Sequence, residues 1–194
     1  NSPTWQGVSD CRAGTCLSFD GINDYINLGT EALGPELNNA SGVTLSYWLN
    51  LSQTPTAGNA YQTVAIIIGA SAGGVDSKID ENRRITFGGR SQSSDTFQNA
   101  ISNTTLSIGT WYHVLGVYDY SADLINVYIN GVLDSSWPVN FGASKYIHSW
   151  VSGSDFLGNF QSQNRFLNGR LDEVHIYNRA LVPEEILNPY NDLK

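Results

Sequence analysis

Phe166-Leu-Asn-Gly-Arg-Leu-Asp-Glu-Val-His-Ile-Tyr-Asn-Arg-Ala-Leu181 decides how the rest of the chain is read. Val174 and Ile176 alternate with Glu173, His175 and Tyr177, the period of two expected of a strand with one apolar and one polar face. Asp172 falls in phase with the apolar pair. A carboxylate there needs donors or a cation, because an unpaired buried charge is costly. A second acidic cluster lies far away in sequence, Phe19-Asp-Gly-Ile-Asn-Asp-Tyr25. If the first and last strands of a sheet are neighbours, the two segments meet. Asp20, Asn23, Asp24 and Asp172 then become candidate ligands for one calcium ion, which takes about six to eight oxygens, backbone carbonyls included. The alternative is that Asp20 and Asp24 shape a turn through Asx hydrogen bonds, with Asp172 accepting donors from that turn.

Working outward, Val43-Thr-Leu-Ser-Tyr-Trp-Leu-Asn50 alternates cleanly and predicts a half-buried strand. Thr63-Val-Ala-Ile-Ile-Ile-Gly69 is continuously apolar, as a central strand covered on both faces would be. Further strands are expected at 17–19, 25–28, 84–90, 111–119, 124–129 and 155–160, with a weak one around Ala100 and Ile101. Asn130-Gly131 is a type I′ hairpin signal. Residues 70–76 read as a Gly/Ser-rich loop. Pro183-Glu-Glu-Ile-Leu187 reads as one helical turn that Pro189 stops. Many short strands, with turn signals roughly every 8–12 residues, indicate an all-β, two-sheet antiparallel sandwich.

The chain has 194 residues, matching one such domain over 1–194. A formal net charge of −8 argues against nucleic acid or an anionic membrane as partner. No apolar run is long enough to cross a membrane. The expected protein is a monomeric domain of a larger multidomain chain, secreted or on the cell surface. The two cysteines, Cys11 and Cys16, point to a small disulfide loop in an oxidising compartment, against the alternative of two reduced thiols.

Leu17-Ser-Phe-Asp-Gly-Ile-Asn-Asp-Tyr-Ile-Asn-Leu-Gly29, Thr44-Leu-Ser-Tyr-Trp48, Thr110-Trp-Tyr-His113, Val127-Tyr-Ile-Asn-Gly-Val132 and the 166–181 stretch follow one another in this order. Together they resemble the LamG-like jelly-roll domains of the concanavalin A-like lectin/glucanase superfamily, across roughly residues 15–190. The resemblance implies two curved antiparallel sheets, often a bound calcium, and carbohydrate recognition or adhesion. It implies no single activity, since hydrolases and lyases share the fold with binding modules.

Catalytic signals are weak. His113, His148 and His175 have no nucleophile motif and no zinc-ligand spacing beside them. Asp80-Glu81 and Asp172-Glu173 are adjacent pairs, which alternate across a strand and cannot share a site. The Glu-x-Asp-x-x-Glu strand of hydrolases with this fold is absent. Sugar binding needs aromatic platforms and planar polar side chains. Loop aromatics such as Tyr61 and Phe97 are candidates, and Arg84, Arg90, Tyr118, Asn159, Gln161 and Trp150 are the expected ligand-binding set. The expected function is a non-catalytic module that binds a polysaccharide or glycan. The alternatives are a calcium-stabilised interaction or adhesion module, and a hydrolase or lyase.

Overall fold

The computed structural model describes residues 2–30, 32–55, 61–68, 72–92, 94–148, 154–159 and 164–193. Among them the strands form two antiparallel sheets. The seven-stranded sheet contains β1 (Thr4–Gln6), β2 (Cys16–Asp20), β4 (Gly42–Leu51), β9 (Trp111–Asp119), β10 (Leu124–Ile129), β11 (Val132–Pro138) and β13 (Asn168–Tyr177). Its order is β1-β2-β13-β4-β9-β10-β11, so the expected neighbouring of early and late strands holds. The six-stranded sheet contains β3 (Ile26–Thr30), β5 (Tyr61–Ile68), β6 (Ala72–Asp80), β7 (Arg84–Gln92), β8 (Gln98–Thr105) and β12 (Ser154–Leu157), in the order β3-β12-β5-β6-β7-β8. A short helix, α1 (Gly34–Leu37), follows β3, and α2 (Pro183–Leu193) ends the chain.

The core lies between the sheets. Val43, Leu45, Tyr47 and Leu49 of β4 meet Val75, Ile79, Ile85 and Phe87 of the other sheet, all fully buried. Burial of a side chain of this size is worth roughly 1.5–3 kcal/mol. Close approach of the sheets depends on a missing side chain. A Cβ at Gly116 would lie 2.3 Å from the Phe87 ring, so Phe87 occupies the space a larger residue would take.

Three expectations on secondary structure are corrected. β4 is buried on both faces, not one. Its outer residues Thr44, Ser46 and Trp48 lie beneath α2 and the N-terminal loop, and Leu115, Val117, Leu181 and Ile186 form a second small core there. α2 runs through Pro189 instead of stopping at it. Packing overrides the lost backbone bond: Ile186 is fully buried, and the Tyr190 ring stacks on Trp48 and His113 at centroid distances of 5.9 and 6.1 Å. Most important for function, residues 72–80 are a strand and not a loop. β6 pairs with both β5 and β7 and sits in the middle of its sheet.

The Asn130-Gly131 turn has φ of +53° and +78°, as a type I′ turn requires, and joins β10 to β11. The far edges of the sheets meet where the Asp134 carboxylate accepts from the backbone N–H groups of Asn103 and Thr104, and where Trp137 Nε1 donates to the Ile101 carbonyl at 3.0 Å.

Candidate functional site

Alternation along β6 builds the site. Val75, Ser77 and Ile79 face the core, so Gly74, Asp76, Lys78 and Asp80 face outward. Outward here means into a groove of about 280 Å³, floored by Ile66, Gly74 and Asp76 and walled by Lys78, Arg90, Phe97 and Arg165. Asp76 and Lys78 are only 6% and 9% exposed despite facing away from the core. Glycine makes the floor. A Cβ at Gly88 would lie 2.3 Å from the Phe97 ring and 2.6 Å from Asp76 Oδ1, so any larger residue would fill the groove.

Lys78 Nζ pairs with Asp76 Oδ2 at 3.0 Å and stands 5.5 Å from the ring centroids of both Tyr61 and Phe97. The Arg165 guanidinium lies 5.1 Å from the centroid of the same Tyr61 ring. Contacts of this kind are worth roughly 0.5–2 kcal/mol each and hold the cations and rings in register. Burial pushes the Asp76 carboxyl up, against the opposing pull of Lys78 and Arg165. Asp76 Oδ1 lies against the Gly88 backbone and takes no hydrogen bond of normal geometry.

The expected ligand-binding residues are thus dispersed. Arg90 lines the groove. Arg84 stands at the opposite end of β7, its guanidinium held by Asp80 Oδ2 at 2.9 and 3.0 Å. Tyr118 is not on the surface at all. It is fully buried between the sheets, and its hydroxyl donates to the Asp76 carbonyl at 2.8 Å. It therefore supports the groove floor from behind; burial first, and the nearby Asp76 charge second, push its phenol well above the ordinary range. Asn159 is also fully buried, and neither atom of its side-chain amide makes a hydrogen bond. Trp150 and Gln161 lie outside the described residues. The sequence reading missed Asp76, Lys78 and Arg165. The signal was the alternation from Gly74 to Asp80, obscured by the glycines that open the strand.

The four expected calcium ligands do not converge either. Asp20 pairs with Asn168 across β2 and β13, whereas Asp172 pairs with Trp48 across β13 and β4. A bulge at Glu173, whose φ is +47°, shifts the phase of β13. Ile176 opposite Leu45 faces the core, but Asp172 opposite Trp48 faces out. There the Asp172 carboxylate is buried beneath the loop closed by the Cys11–Cys16 disulfide, accepting from the N–H groups of Arg12 (2.8 Å), Ala13 (2.9 Å) and Glu173 (2.9 Å). Among the described residues, one cluster has three groups of metal-ligating type, Cys11, Cys16 and Asp172. Its sulfurs are bonded to each other, so it is a disulfide seated on a carboxylate.

At the other place, Asp20 Oδ1 accepts from Ile22 N at 2.8 Å and Asn23 N at 3.2 Å, and Asp24 Oδ2 accepts from Asp20 N at 3.1 Å. Burial works against the Asp20 charge, but these N–H groups outweigh it and hold the carboxyl below the ordinary range. The turn is held by its own Asx bonds. For calcium it can offer the second oxygen of each carboxylate and its own carbonyls, a partial set without Asp172.

His113, fully buried on the outer face of β9, is a packed strand residue. Nε2 meets Ser46 Oγ at 3.1 Å and the ring lies 5.2 Å from Trp48, with Arg12 over the same indole at 4.4 Å. Burial, with a smaller push from His175, lowers its pKa to about 4.

Two packed antiparallel sheets with a polar, aromatic-walled groove on one outer face define a lectin-type sandwich. The model of the concanavalin A-like lectin/glucanases superfamily matches residues 20–187, and the chain belongs to that family. No curated protein matches the sequence. Among solved structures, domain 4 of AbnA, a GH43 extracellular arabinanase from Geobacillus stearothermophilus in complex with arabinotriose, is 21% identical with a TM-score of 0.70, covering 97% of this chain and 81% of that one. The heptameric SAP-like pentraxin from Limulus polyphemus is 13% identical with a TM-score of 0.62, covering 88% and 78%. The binding domain of Paraclostridial Mosquitocidal Protein 1 is 16% identical with a TM-score of 0.70, covering 99% of this chain but 47% of that one. At these identities the likeness is one of fold.

Proposed function

We propose that this domain is a non-catalytic carbohydrate-binding module that holds a glycan in the groove over β6 and β7. The observation that carries the reading is the groove itself: the Phe97 ring, the buried Lys78 and Asp76 and two half-buried arginines line one cavity large enough for a sugar ring. Membership of a lectin/glucanase family supports it, as does the likeness to an arabinanase domain solved with arabinotriose.

Hydrolysis in this fold calls for two carboxyl groups about 5–9.5 Å apart facing one glycosidic oxygen. In the groove Asp76 stands as a single carboxylate among the described lining residues, and the next acid on that face, Asp80, is locked to Arg84. The disulfide and the absence, among the described residues, of a helix long and apolar enough to cross a membrane fit a secreted or cell-surface setting. In that setting the domain acts as a monomeric part of a larger chain, carrying its neighbours to the glycan. Calcium, in this reading, binds the 20–24 turn through Asp20 and Asp24 and serves stability, away from the groove.

Retention on a panel of immobilised polysaccharides, with reducing ends assayed in parallel, tests the proposal. Retention on at least one polymer class without reducing-end release is expected. Turnover that is lost on changing one Asp or Glu would make the protein an enzyme. Absence of retention across the panel would favour a protein-interaction module.

A further inference from the structure

We infer that the glycan chain continues from the groove into a second, uncharged cavity beside it, which holds a neutral sugar unit next to the one in the groove. This rests on the glycan-binding reading of the groove. The second cavity, of about 140 Å³, is lined by Gln53, Thr54, Gln62 and Asn168 and by the rings of Tyr61 and Phe166. It lies at the start of β5, where the Thr63 N–H donates to the Arg165 carbonyl at 2.9 Å and ties the segment before β13 alongside that strand. Adjacency is the first argument. The consecutive residues Arg165 and Phe166 line one cavity each, Arg165 the groove and Phe166 its neighbour. Tyr61 lines the second cavity, and its ring centroid stands 5.5 Å from Lys78 Nζ and 5.1 Å from the Arg165 guanidinium, two groups of the groove. The two cavities thus share a wall built by Tyr61, Lys78 and Arg165, over which adjacent units of one chain can pass.

The second argument is the chemistry of the lining. Gln62 Oε1 accepts from the Asn168 N–H at 3.0 Å, and Gln62 Nε2 donates to the Gln53 carbonyl at 3.3 Å. Asn168 Nδ2 in turn donates to Gln53 Oε1 at 3.0 Å and to the Asp20 carbonyl at 3.2 Å. This network sets the planar amides of Gln53, Gln62 and Asn168 in place before a ligand arrives. A primary amide carries two donor hydrogens and an acceptor oxygen with two lone pairs, so these bonds leave groups of both kinds over. A sugar hydroxyl, donor and acceptor at once, can use either. The half-buried rings of Tyr61 and Phe166 supply apolar faces for the sugar. No charged residue is among the described lining residues, so a carboxylate or sulfate placed there would lose water without gaining a counter-charge. The unit that fits is a neutral one.

Titration calorimetry of the whole domain against oligosaccharides of increasing length, cut from arabinan, galactan and polygalacturonate, tests the inference. In a neutral series, affinity is expected to rise about tenfold or more from the single sugar to the trisaccharide, because the second unit meets its cavity at a high effective concentration. Phe166→Ala and Gln53→Ala should each reduce that gain about fivefold or more, whereas Phe97→Ala lowers affinity at every length. Thermal melts of the variants establish that they remain folded. Affinity independent of length, or a gain that neither Phe166→Ala nor Gln53→Ala reduces, would overturn the second cavity while leaving the groove as a glycan site. A gain seen with polygalacturonate alone would overturn the assignment of a neutral unit. Binding weakened by Phe166→Ala but indifferent to Phe97→Ala would overturn the groove reading, and the inference with it. No binding to any of the three series would overturn both.

Discussion

Replacing His113 with phenylalanine is expected to flatten the acid side of the stability profile. In the folded protein the ring is buried against Trp48, Tyr190 and Ser46, and its pKa is lowered from 6.5 to about 4, by burial first and His175 second. Its folded pKa lies below its unfolded one. Stability is therefore intact above about pH 6.5, falls as the unfolded chain takes up a proton the folded chain refuses, and levels off below about pH 4. At about 1.4 kcal/mol per pH unit the interval is worth roughly 3 kcal/mol at most. Phenylalanine keeps a ring in the stack but loses the Ser46 bond, costing about 1 kcal/mol at pH 7. Urea unfolding at pH 7, 5.5 and 4 provides the comparison. The carboxylates, Asp76 among them with its opposite dependence, are common to both proteins and cancel. Wild type should lose roughly 3 kcal/mol more than the variant between pH 7 and 4. Parallel losses in the two proteins, or a His113 resonance titrating near 6.5, would refute the reasoning.

Asp172→Ala leaves the Arg12 and Ala13 N–H groups without their acceptor, and a loss of roughly 1–3 kcal/mol is expected in the same unfolding assay. Gly116→Ala places a Cβ against Phe87 across the sandwich and should cost roughly 1–3 kcal/mol through overpacking, read as a lowered thermal midpoint. Calcium at the 20–24 turn predicts a higher melting temperature with the ion than with chelator, a difference that Asp20→Ala abolishes. An unchanged midpoint in excess chelator would remove calcium from the account.

What could be read from the sequence follows the regularity of each segment. β4 has clean alternation and the β10–β11 hairpin a strong turn dipeptide, and both elements lie where they were expected, although β4 is covered on both faces. The ordered motifs sufficed for the sandwich. β6 was hidden because Ala72, Gly73 and Gly74 resemble a loop, although Val75, Ser77 and Ile79 keep a strand's period. Phase counting along β13 failed for a different reason: one bulged residue, Glu173, reverses which face Asp172 occupies, and local sequence does not announce a bulge. Arg90, Tyr61 and Phe97 could be picked out as side-chain types suited to sugar. That they meet Asp76, Lys78 and Arg165 depends on pairing between strands distant in sequence, which composition cannot supply.

Binding of a polysaccharide retained by the wild type, measured by calorimetry on Phe97→Ala and on Trp5→Ala, tests most directly whether the groove over β6 and β7 is the glycan site. Phe97 walls the groove, whereas Trp5 is the large aromatic most exposed on edge strand β1, 71% accessible. Phe97→Ala is expected to lose at least tenfold in affinity, and Trp5→Ala to keep wild-type affinity. Undiminished binding by a folded Phe97→Ala protein would contradict the groove as the glycan site.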